Sequence, residues 1–310
     1  MITARNKGRF ALAAAAVGVS LALSGCGSSD PLASGSGGSG GGDDETIVIG
    51  SQAYYSNEII AEIYAQALEN AGLTVERQFN IGQRKAYLPE VESGAIDLFP
   101  EYTGNLLQEG FDPDTTARTS EDVYAALQEA LPDNLTVLDQ AEATDQDSYV
   151  VTTDFAEANG LTSIGDLASV PDLAIAGNSE LKARAYGEIG LRDVYGVTVA
   201  EWIAIEDSGG PLTIEALVNG DADVANIYTG SPAIATNDLV ALDDPEGLFL
   251  ASHVVPLVNE EIAGDVEDVI NEVQAALTAE DLVALNALSV DEEQSADQIA
   301  SDWLSEKGLV

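Results

Sequence analysis

The stretch SGAIDLFPEYTG, Ser93 to Gly104, carries the pattern that decides the fold. Its short apolar run, Ile96 to Phe99, is typical of a buried strand, and the run stops at Pro100, which cannot donate a backbone hydrogen bond. A glutamate, a tyrosine and a threonine follow at once. The pattern therefore predicts that Tyr102 lies at the carboxyl end of a strand, which is where open α/β sheets bind their ligands.

A second stretch, NGDADVANIY at 219–228, echoes the first at an offset of 126 residues. In both windows a glycine ends a helical segment, an aspartate starts a short strand and a tyrosine ends it. The matched positions are Gly94 and Gly220, Asp97 and Asp223, and Tyr102 and Tyr228. Short matches also arise by chance in an alanine-rich chain. A meaningful echo would indicate two similar lobes that set the two tyrosines across a cleft.

Short apolar strands alternate with helical patterns through the body of the chain. Strands are predicted at 46–52, 73–80, 95–99, 172–177, 198–206 and 221–228. Helices are predicted at 58–71, 84–93, from about 181, at 212–218, 265–277, 279–288 and 292–306. The alternation predicts α/β lobes with mostly parallel sheets, and the length of the body favours two lobes over one.

The N-terminus has the pattern of a lipoprotein leader. A basic start precedes an apolar run, Phe10 to Leu23, that is too short to span a membrane comfortably. The Leu-Ser-Gly-Cys that follows resembles the bacterial lipobox, so residues 1–25 are predicted to be a signal peptide and Cys26 the lipidated end of the mature chain. An ordinary signal peptide with an incidental cysteine is the alternative. The Gly/Ser-rich residues 26–45 are predicted to form a flexible tether that holds the protein to the outer face of the cell membrane.

The charge excludes one class of partner. The chain has a formal net charge of −43, and beyond the first ten residues 54 acidic side chains face only 8 basic ones, a net charge of −46. Such a surface repels nucleic acid, which is therefore excluded as a partner. A high-salt habitat is the interpretation that fits this composition best.

The residue inventory gives little support for catalysis. The chain has one histidine, His253, and one cysteine, Cys26, so a His/Cys metal cluster is not possible and no metal, cofactor or catalytic residue is predicted. A Ser-His-Asp site could use only His253. A hydrolase that works with carboxylates alone stays open, since the many acidic residues supply many pairs and no pattern singles one out.

Several segments together resemble one protein family. They are IVIGSQAYYSNEIIAEIYAQALENAG (47–72), GAIDLFPEYTG (94–104), DQDSYVVTT (145–153), SELKAR (179–184) and EDSGG with EALVNGDADVANIY (206–228). They resemble the osmoprotectant-binding proteins of ABC importers, the glycine betaine, carnitine and choline type, over about residues 46–260. The strand followed by Pro-Glu-Tyr-Thr-Gly is the most specific of these motifs.

The resemblance implies an α/β, two-lobed, type II periplasmic-binding-protein fold with the ligand in a cleft between the lobes. The implied organisation is a first lobe at 46–147, a second lobe at 148–250 and a return to the first lobe with C-terminal helices at 251–310. Closure of the lobes around a ligand, without chemistry, would be the mechanism.

The resemblance also implies a ligand site in which tyrosines surround a cationic group. Tyr102, Tyr149 and Tyr228 match the walls of this box, Asp147 the acid beside it, Gln52 a polar position, and Arg184 the arginine that binds a carboxylate. These residue types suit the chemistry, because a quaternary ammonium has no N–H and is attracted to aromatic faces, whereas a guanidinium suits a carboxylate.

The sequence departs from the family pattern in three places. Ser252 stands where a further box tyrosine is usual, so the box is either open on that side or closed by His253, Tyr54 or Tyr55. Asn105 stands at a ligand-facing position that usually holds threonine or aspartate. The opening motif, which usually carries a Phe-Thr-Glu run, has Tyr54, Tyr55 and Ser56 here. All three changes leave the fold intact and bear on the identity of the ligand.

The resemblance therefore predicts a monomeric, lipid-anchored, extracytoplasmic substrate-binding protein of an ABC importer, with permease and ATPase on separate chains. Its expected ligand is a quaternary-ammonium solute such as glycine betaine, choline or carnitine. A different betaine such as ergothioneine is the nearest alternative. An extracellular hydrolase or a sensor lipoprotein is a more distant one.

Overall fold

A computed structural model describes residues 46–310 of the chain. The predicted signal peptide, the lipidation of Cys26 and the tether at 26–45 lie outside the described residues. Within the described part, the helices are too short or too polar for any of them to span a membrane.

Ten strands form two sheets of five. In chain order they are β1 Ile47–Gly50, β2 Val75–Gln78, β3 Leu98–Tyr102, β4 Leu135–Val137, β5 Asp147–Thr152, β6 Ala174–Gly177, β7 Glu201–Ala204, β8 Val224–Tyr228, β9 Leu239–Ala241 and β10 Val254–Asn259. The first sheet has the order β2-β1-β3-β10-β4 and the second the order β7-β6-β8-β5-β9. We call each sheet with the helices packed on it a lobe, the first lobe and the second lobe.

Eleven α-helices cover these sheets within residues 46–310. They are α1 Tyr55–Asn70, α2 Arg84–Glu92, α3 Thr103–Leu106, α4 Ser120–Ala130, α5 Thr153–Asn159, α6 Glu188–Tyr195, α7 Pro211–Val218, α8 Ala233–Thr236, α9 Ala263–Ala276, α10 Ala279–Val290 and α11 Ala296–Lys307. Side-chain hydrogen bonds cap several of these helices at their N-terminal ends. At α10, for example, the Thr278 hydroxyl accepts from the backbone N–H of Asp281, 3.1 Å away, and the Asp281 carboxylate accepts from the N–H of Thr278, also at 3.1 Å.

The two sequence windows that echo each other occupy equivalent places in the two sheets. The Asp97 carboxylate accepts a hydrogen bond from the backbone N–H of Val48 at 2.8 Å, and the Asp223 carboxylate accepts one from Ala174 at 2.9 Å. Both bonds join the residue before a central strand to the neighbouring parallel strand. The structure therefore confirms that the echo reflects two lobes of the same design.

The prediction of mostly parallel sheets needs a correction. β10 runs antiparallel to β3 and β4, and β5 runs antiparallel to β8 and β9, so both sheets are mixed. These two strands are the ones that the chain enters on passing from one lobe to the other. A strand that enters a lobe from the other lobe begins at the cleft, whereas β3 and β8 end there. The entering strand therefore runs in the opposite direction to them.

Strand β3 continues through Pro100 to Tyr102 rather than stopping at the proline. Pro100 lies opposite Pro256 of β10 in the register. Its carbonyl accepts from the Asn57 side chain at 2.8 Å, and that of Pro256 accepts from the backbone N–H of Leu138 at 3.1 Å. The lack of a backbone N–H at these two prolines therefore does not interrupt the pairing of β3 with β10, and Tyr102 lies at the end of β3.

The C-terminal helices pack against α1 and complete the core of the first lobe. Ile63, Ile270 and Trp303 belong to the same buried cluster. Inside this cluster the Tyr64 hydroxyl donates to the side-chain carbonyl of Gln274, 2.8 Å away. The second lobe has a buried core of its own between its sheet and α5 and α6.

Candidate ligand-binding cleft

The two equivalent strands end at a tyrosine that is followed by the same two residues. Thr103 and Gly104 follow Tyr102 of β3, as Thr229 and Gly230 follow Tyr228 of β8. In the first turn the Thr103 N–H donates to the carbonyl of His253, 3.0 Å away, and in the second the Thr229 N–H donates to that of Gln146, 2.9 Å away. The repeated turn therefore presents one tyrosine from each lobe to the space between them.

A cleft between the lobes is lined by side chains from both of them. The lining residues are Gln52, Tyr54, Gln83, Arg84, Tyr102, Asn105, Asp145, Arg184 and Tyr228. The empty space among them is about 390 Å³, including the part that opens to solvent. Five of the eight residues predicted from the sequence to bind ligand, Gln52, Tyr102, Asn105, Arg184 and Tyr228, are brought together here.

Three tyrosines form an aromatic corner in this cleft. The ring of Tyr54 meets the ring of Tyr228 edge to face, with their centroids 5.1 Å apart. Tyr102 accepts a hydrogen bond on its hydroxyl from the Asn57 side chain at 3.4 Å. Burial raises the pKa values of all three tyrosines, so each keeps its hydroxyl proton and remains neutral.

Asp145 lies beside this aromatic corner and is 5% exposed. Its carboxylate accepts from the Tyr54 hydroxyl at 3.0 Å and from the backbone N–H of Gly230 at 2.9 Å. Burial raises the pKa of Asp145 to about 6, while these two hydrogen bonds work in the opposite direction. The corner thus combines aromatic faces with a buried acid.

Arg84 lines another part of the cleft, and a buried ion pair orients its side chain. Its Nε and Nη2 donate to the two oxygens of Glu101 at 2.9 and 2.7 Å. Glu101 is fully buried and also accepts from the Tyr87 hydroxyl at 2.6 Å. The glutamate that precedes Tyr102 therefore fixes the direction of a cleft arginine, and a bidentate pair of this kind restricts the arginine strongly.

Arg184 reaches the cleft from the second lobe as part of a chain of hydrogen bonds. Its Nη1 donates to the Tyr186 hydroxyl at 2.7 Å, and this hydroxyl donates to the Asp147 carboxylate at 2.9 Å. Asn105 of the first lobe donates to the same carboxylate at 2.6 Å. Asp147 thus lies behind the lining residues and joins the two lobes.

Tyr149 does not lie where the sequence comparison placed it. Its ring is fully buried in the core of the second lobe, 5.3 Å from the ring of Phe249, and its hydroxyl donates to the backbone carbonyl of Tyr186 at 2.7 Å. It shares a face of β5 with Asp147, but it lies two residues farther from the strand end. Two residues along a strand place Tyr149 on the same face as Asp147 but farther from the cleft, in the core of the second lobe.

His253 is also absent from the lining, and it does not close the box. Its Nδ1 lies 3.0 Å from the carbonyl oxygen of Ala141. Neighbouring residues of an extended segment point in opposite directions, so Ser252 faces Asn105 while His253 faces away. The Ser252 hydroxyl donates to the side-chain carbonyl of Asn105 at 3.1 Å and thereby orients it. Of the three candidates for closing the box, Tyr54 is the one that lines the cleft.

The prediction of a helix that starts at about residue 181 needs a correction. Residues Leu181–Ala183 form only a short 3₁₀ turn, and α6 begins later, at Glu188.

Sequence reasoning missed three lining residues, Gln83, Arg84 and Asp145. The sequence contained two signals for Asp145 and the turn that binds it. The echo continues past the tyrosines as Thr-Gly in both windows, and Asp145 stands two residues before Asp147 in the quoted motif DQDSYVVTT. Arg84 is one of only 8 basic residues in the body of an acidic chain. A base in such a chain has many possible acidic partners, so only the fold reveals that Glu101 is the one it binds.

Comparison with known proteins connects this cleft to transport. Residues 45–306 match the family described as the substrate-binding domain of ABC-type glycine betaine transport systems. The glycine betaine-binding protein YehZ of Escherichia coli is 26% identical over 276 residues, which cover 84% of this chain and 90% of that protein.

Solved structures show the same architecture. The crystal structure of a glycine betaine/carnitine/choline ABC transporter protein superposes with a TM-score of 0.70 at 19% identity, covering 85% of this chain and 99% of the other. The ligand-free structure of YehZ from the same bacterium superposes with a TM-score of 0.65 at 25% identity, covering 86% and 99%. The predicted two-lobed periplasmic-binding-protein fold is thereby confirmed.

Proposed function

Because the chain belongs to the family of substrate-binding domains of ABC-type glycine betaine transport systems, we propose that it binds a small quaternary-ammonium solute in the cleft between its lobes. The family consists of binding proteins, and the chain is a substrate-binding protein rather than an enzyme. The observation that carries the proposal is the aromatic corner of Tyr54, Tyr102 and Tyr228 with the buried Asp145 beside it.

The aromatic corner suits a trimethylammonium group. Such a group cannot donate a hydrogen bond, and each ring face contributes roughly 0.5–2 kcal/mol to its binding. Tyr54 and Tyr102 come from the first lobe and Tyr228 from the second. A cation held among them would contact both lobes, so its binding would favour the closed arrangement.

Arg84 and Arg184 support a ligand that also carries a carboxylate. Each lines the cleft, one from each lobe, and neither makes an ion pair with Asp145 in the described structure. A zwitterion with its cation at the tyrosines and its carboxylate at the arginines would meet complementary charge at both ends. This arrangement favours glycine betaine or carnitine over choline, and the curated relative YehZ is named as a glycine betaine-binding protein.

The wider role proposed here follows from the family and the leader sequence. The protein acts as a monomer outside the cytoplasm, anchored through a lipid on Cys26, and delivers its ligand to a permease whose ATPase is a separate chain. Cleavage and lipidation at Cys26 would be visible as a mass increase of the mature N-terminal peptide and as loss of membrane attachment in a Cys26→Ala variant.

Isothermal titration calorimetry tests the proposal directly. Residues 46–310 are titrated with glycine betaine, carnitine, choline and ergothioneine, and we expect glycine betaine or carnitine to bind most tightly. Tyr102→Ala and Tyr228→Ala should each weaken that ligand by about tenfold or more, because each removes one ring face. No heat from any of the four compounds with the wild-type protein would contradict the proposal.

A further inference from the structure

Asp145 occupies a special position in the chain trace. It lies in the first of the two segments that connect the lobes, between β4 and β5. The second connecting segment runs beside it, where the backbone N–H of Val254 donates to the carbonyl of Ala143 at 3.0 Å. Through its carboxylate Asp145 contacts Tyr54 of the first lobe and Gly230 of the second.

The internal repeat supplies a comparison for this residue within the same chain. Asp145 stands two residues before Asp147, the register partner of Tyr228, and Ser252 stands two residues before Val254, the register partner of Tyr102. In the first lobe the backbone N–H of Gly104 donates to the Ser252 hydroxyl at 3.2 Å, just as the N–H of Gly230 donates to Asp145.

The two lobes differ in charge at this position but not in the hydrogen bond that the position makes. The turn requires an acceptor for the glycine N–H, and the first lobe shows that a neutral hydroxyl is sufficient. A buried carboxylate is costly unless a cation pairs with it. Within residues 46–310 Asp145 has no ion-pair partner, since the cleft arginines pair with Glu101 and Glu180 instead. The charge at 145 therefore exceeds what the fold needs.

We infer that Asp145 is the counter-ion of the bound ligand and makes the cleft select a cationic head group over a neutral group of the same shape. The inference rests on the proposed function and deepens it. Aromatic faces alone attract a cation only moderately and also accept a bulky apolar group, whereas a buried carboxylate disfavours a neutral group that leaves it unpaired.

A pair of ligands that differ in one atom tests the inference. Glycine betaine and 3,3-dimethylbutanoate have the same shape and the same carboxylate, but a carbon replaces the cationic nitrogen in the second compound. We expect the wild-type protein to bind glycine betaine at least about tenfold more tightly than 3,3-dimethylbutanoate. In Asp145→Asn, whose side-chain carbonyl can still accept from Gly230, this ratio should fall by about tenfold, and the preference that remains is the contribution of the ring faces.

Two further variants make the test specific. Asp265→Asn removes one negative charge at the exposed start of α9, outside the cleft, so the ratio should stay at its wild-type value. If Asp145→Asn does not fold, as judged by its melting curve, Asp145→Ser introduces the residue type that the first lobe already uses at this position.

The outcomes distinguish the inference from the function on which it rests. A wild-type ratio in the Asp145 variant, with glycine betaine still bound, would overturn the inference alone. A wild-type protein that binds no quaternary-ammonium compound would overturn the proposed function and the inference with it. A lowered ratio in Asp145→Asn together with an unchanged ratio in Asp265→Asn would establish the role of the charge at position 145.

Discussion

At the scale of single residues, the proposed role of Asp145 predicts that ligand binding depends on pH. Burial raises the pKa of this carboxyl to about 6, so the group is charged at neutral pH and becomes neutral as the pH falls through 6. A cationic ligand stabilises the charged form. The groups that face it are Tyr54, Tyr55, Tyr102, Tyr228 and Asp147. The four tyrosines have raised pKa values and do not titrate in this range.

Affinity for glycine betaine should therefore decrease on acidification. We expect binding to be constant above about pH 7 and to weaken by about tenfold between pH 7 and pH 5, because the ligand must then displace a proton from Asp145. Calorimetry across this range provides the measurement. Asp145→Asn removes the titrating group while leaving Asp147 in place, so a pH dependence that persists in this variant would assign the effect to another group.

A second residue-scale prediction concerns Tyr149, whose position in the core differs from its expected place in the box. Tyr149→Phe removes one buried hydrogen bond, the one to the carbonyl of Tyr186, and leaves the ring in place. The free energy of unfolding should fall by about 1 kcal/mol, whereas the affinity for the ligand should not change. Urea denaturation and calorimetry on the same variant check both parts. A tenfold loss of affinity would return Tyr149 to the ligand site.

At the scale of elements, the repeated turn links each central strand to the cleft and leaves no room for a side chain at its glycine. A Cβ placed on Gly230 would lie 2.6 Å from the carboxylate of Asp145, and one placed on Gly104 would lie 2.8 Å from the carbonyl oxygen of Ala251. The backbone at both positions lies outside the left-handed region. Contact with neighbours, and not conformational strain, is therefore what requires glycine here.

Gly230→Ala should accordingly act on the ligand site through Asp145. The added methyl group would push the carboxylate away from the turn, and we expect the affinity for glycine betaine to fall by about tenfold or more. Gly264→Ala in α9 is the matched control, because a Cβ there meets no atom within 4 Å. The control should bind as the wild type does. Equal affinity of the two variants would show that the contact with Asp145 has no influence on binding.

The positions of strands and helices could be predicted from the sequence more easily than the directions of their side chains. The aspartate and glycine of each window predicted β3 and β8, because local chemistry at a helix end and a strand start is encoded by neighbouring residues. Whether Tyr149 faces the cleft or the core depends on how far β5 extends toward the other lobe. The pairing of Arg84 with Glu101 depends on the packing of α2 against β3. Both are properties of the assembled lobes, which no short window contains.

At the scale of the whole molecule, side chains at the rim and inside the cleft hold the two lobes together. Gln83 donates to the Ser208 hydroxyl at 3.1 Å, and the Lys85 ammonium lies 2.9 Å from the Glu180 carboxylate. Deeper in the cleft, the bond from Asn105 to Asp147 also crosses from lobe to lobe. Opening of the cleft must break these bonds. Lys85 is 82% exposed, so its ion pair contributes little to holding the lobes together, and the bond from Asn105 to the buried Asp147 contributes more.

The excess of negative charge affects the molecule as a whole, because few carboxylates have a cationic neighbour. Residues 46–310 contain eight ion pairs, and in four of them at least one partner is exposed to solvent. The remaining carboxylates repel one another over distances that depend on salt, since the Debye length shrinks from about 30 Å at 0.01 M to about 8 Å at 0.15 M ionic strength. Self-repulsion of this kind destabilises a compact state.

The melting temperature should therefore rise with salt even in the absence of ligand. Between about 0.01 M and 0.5 M NaCl we expect an increase of about 3 °C or more, equivalent to about 1 kcal/mol for a chain of this size, with most of it at the low end of the range. Sodium sulfate at equal ionic strength separates screening from preferential exclusion, because screening alone makes the two salts equivalent in the dilute range. Sucrose, which has no charge, should not reproduce the steep early rise. A melting temperature that stays constant over this range would mean that the acidic surface is already screened by its own counter-ions, and the charge would then contribute to solubility without limiting stability.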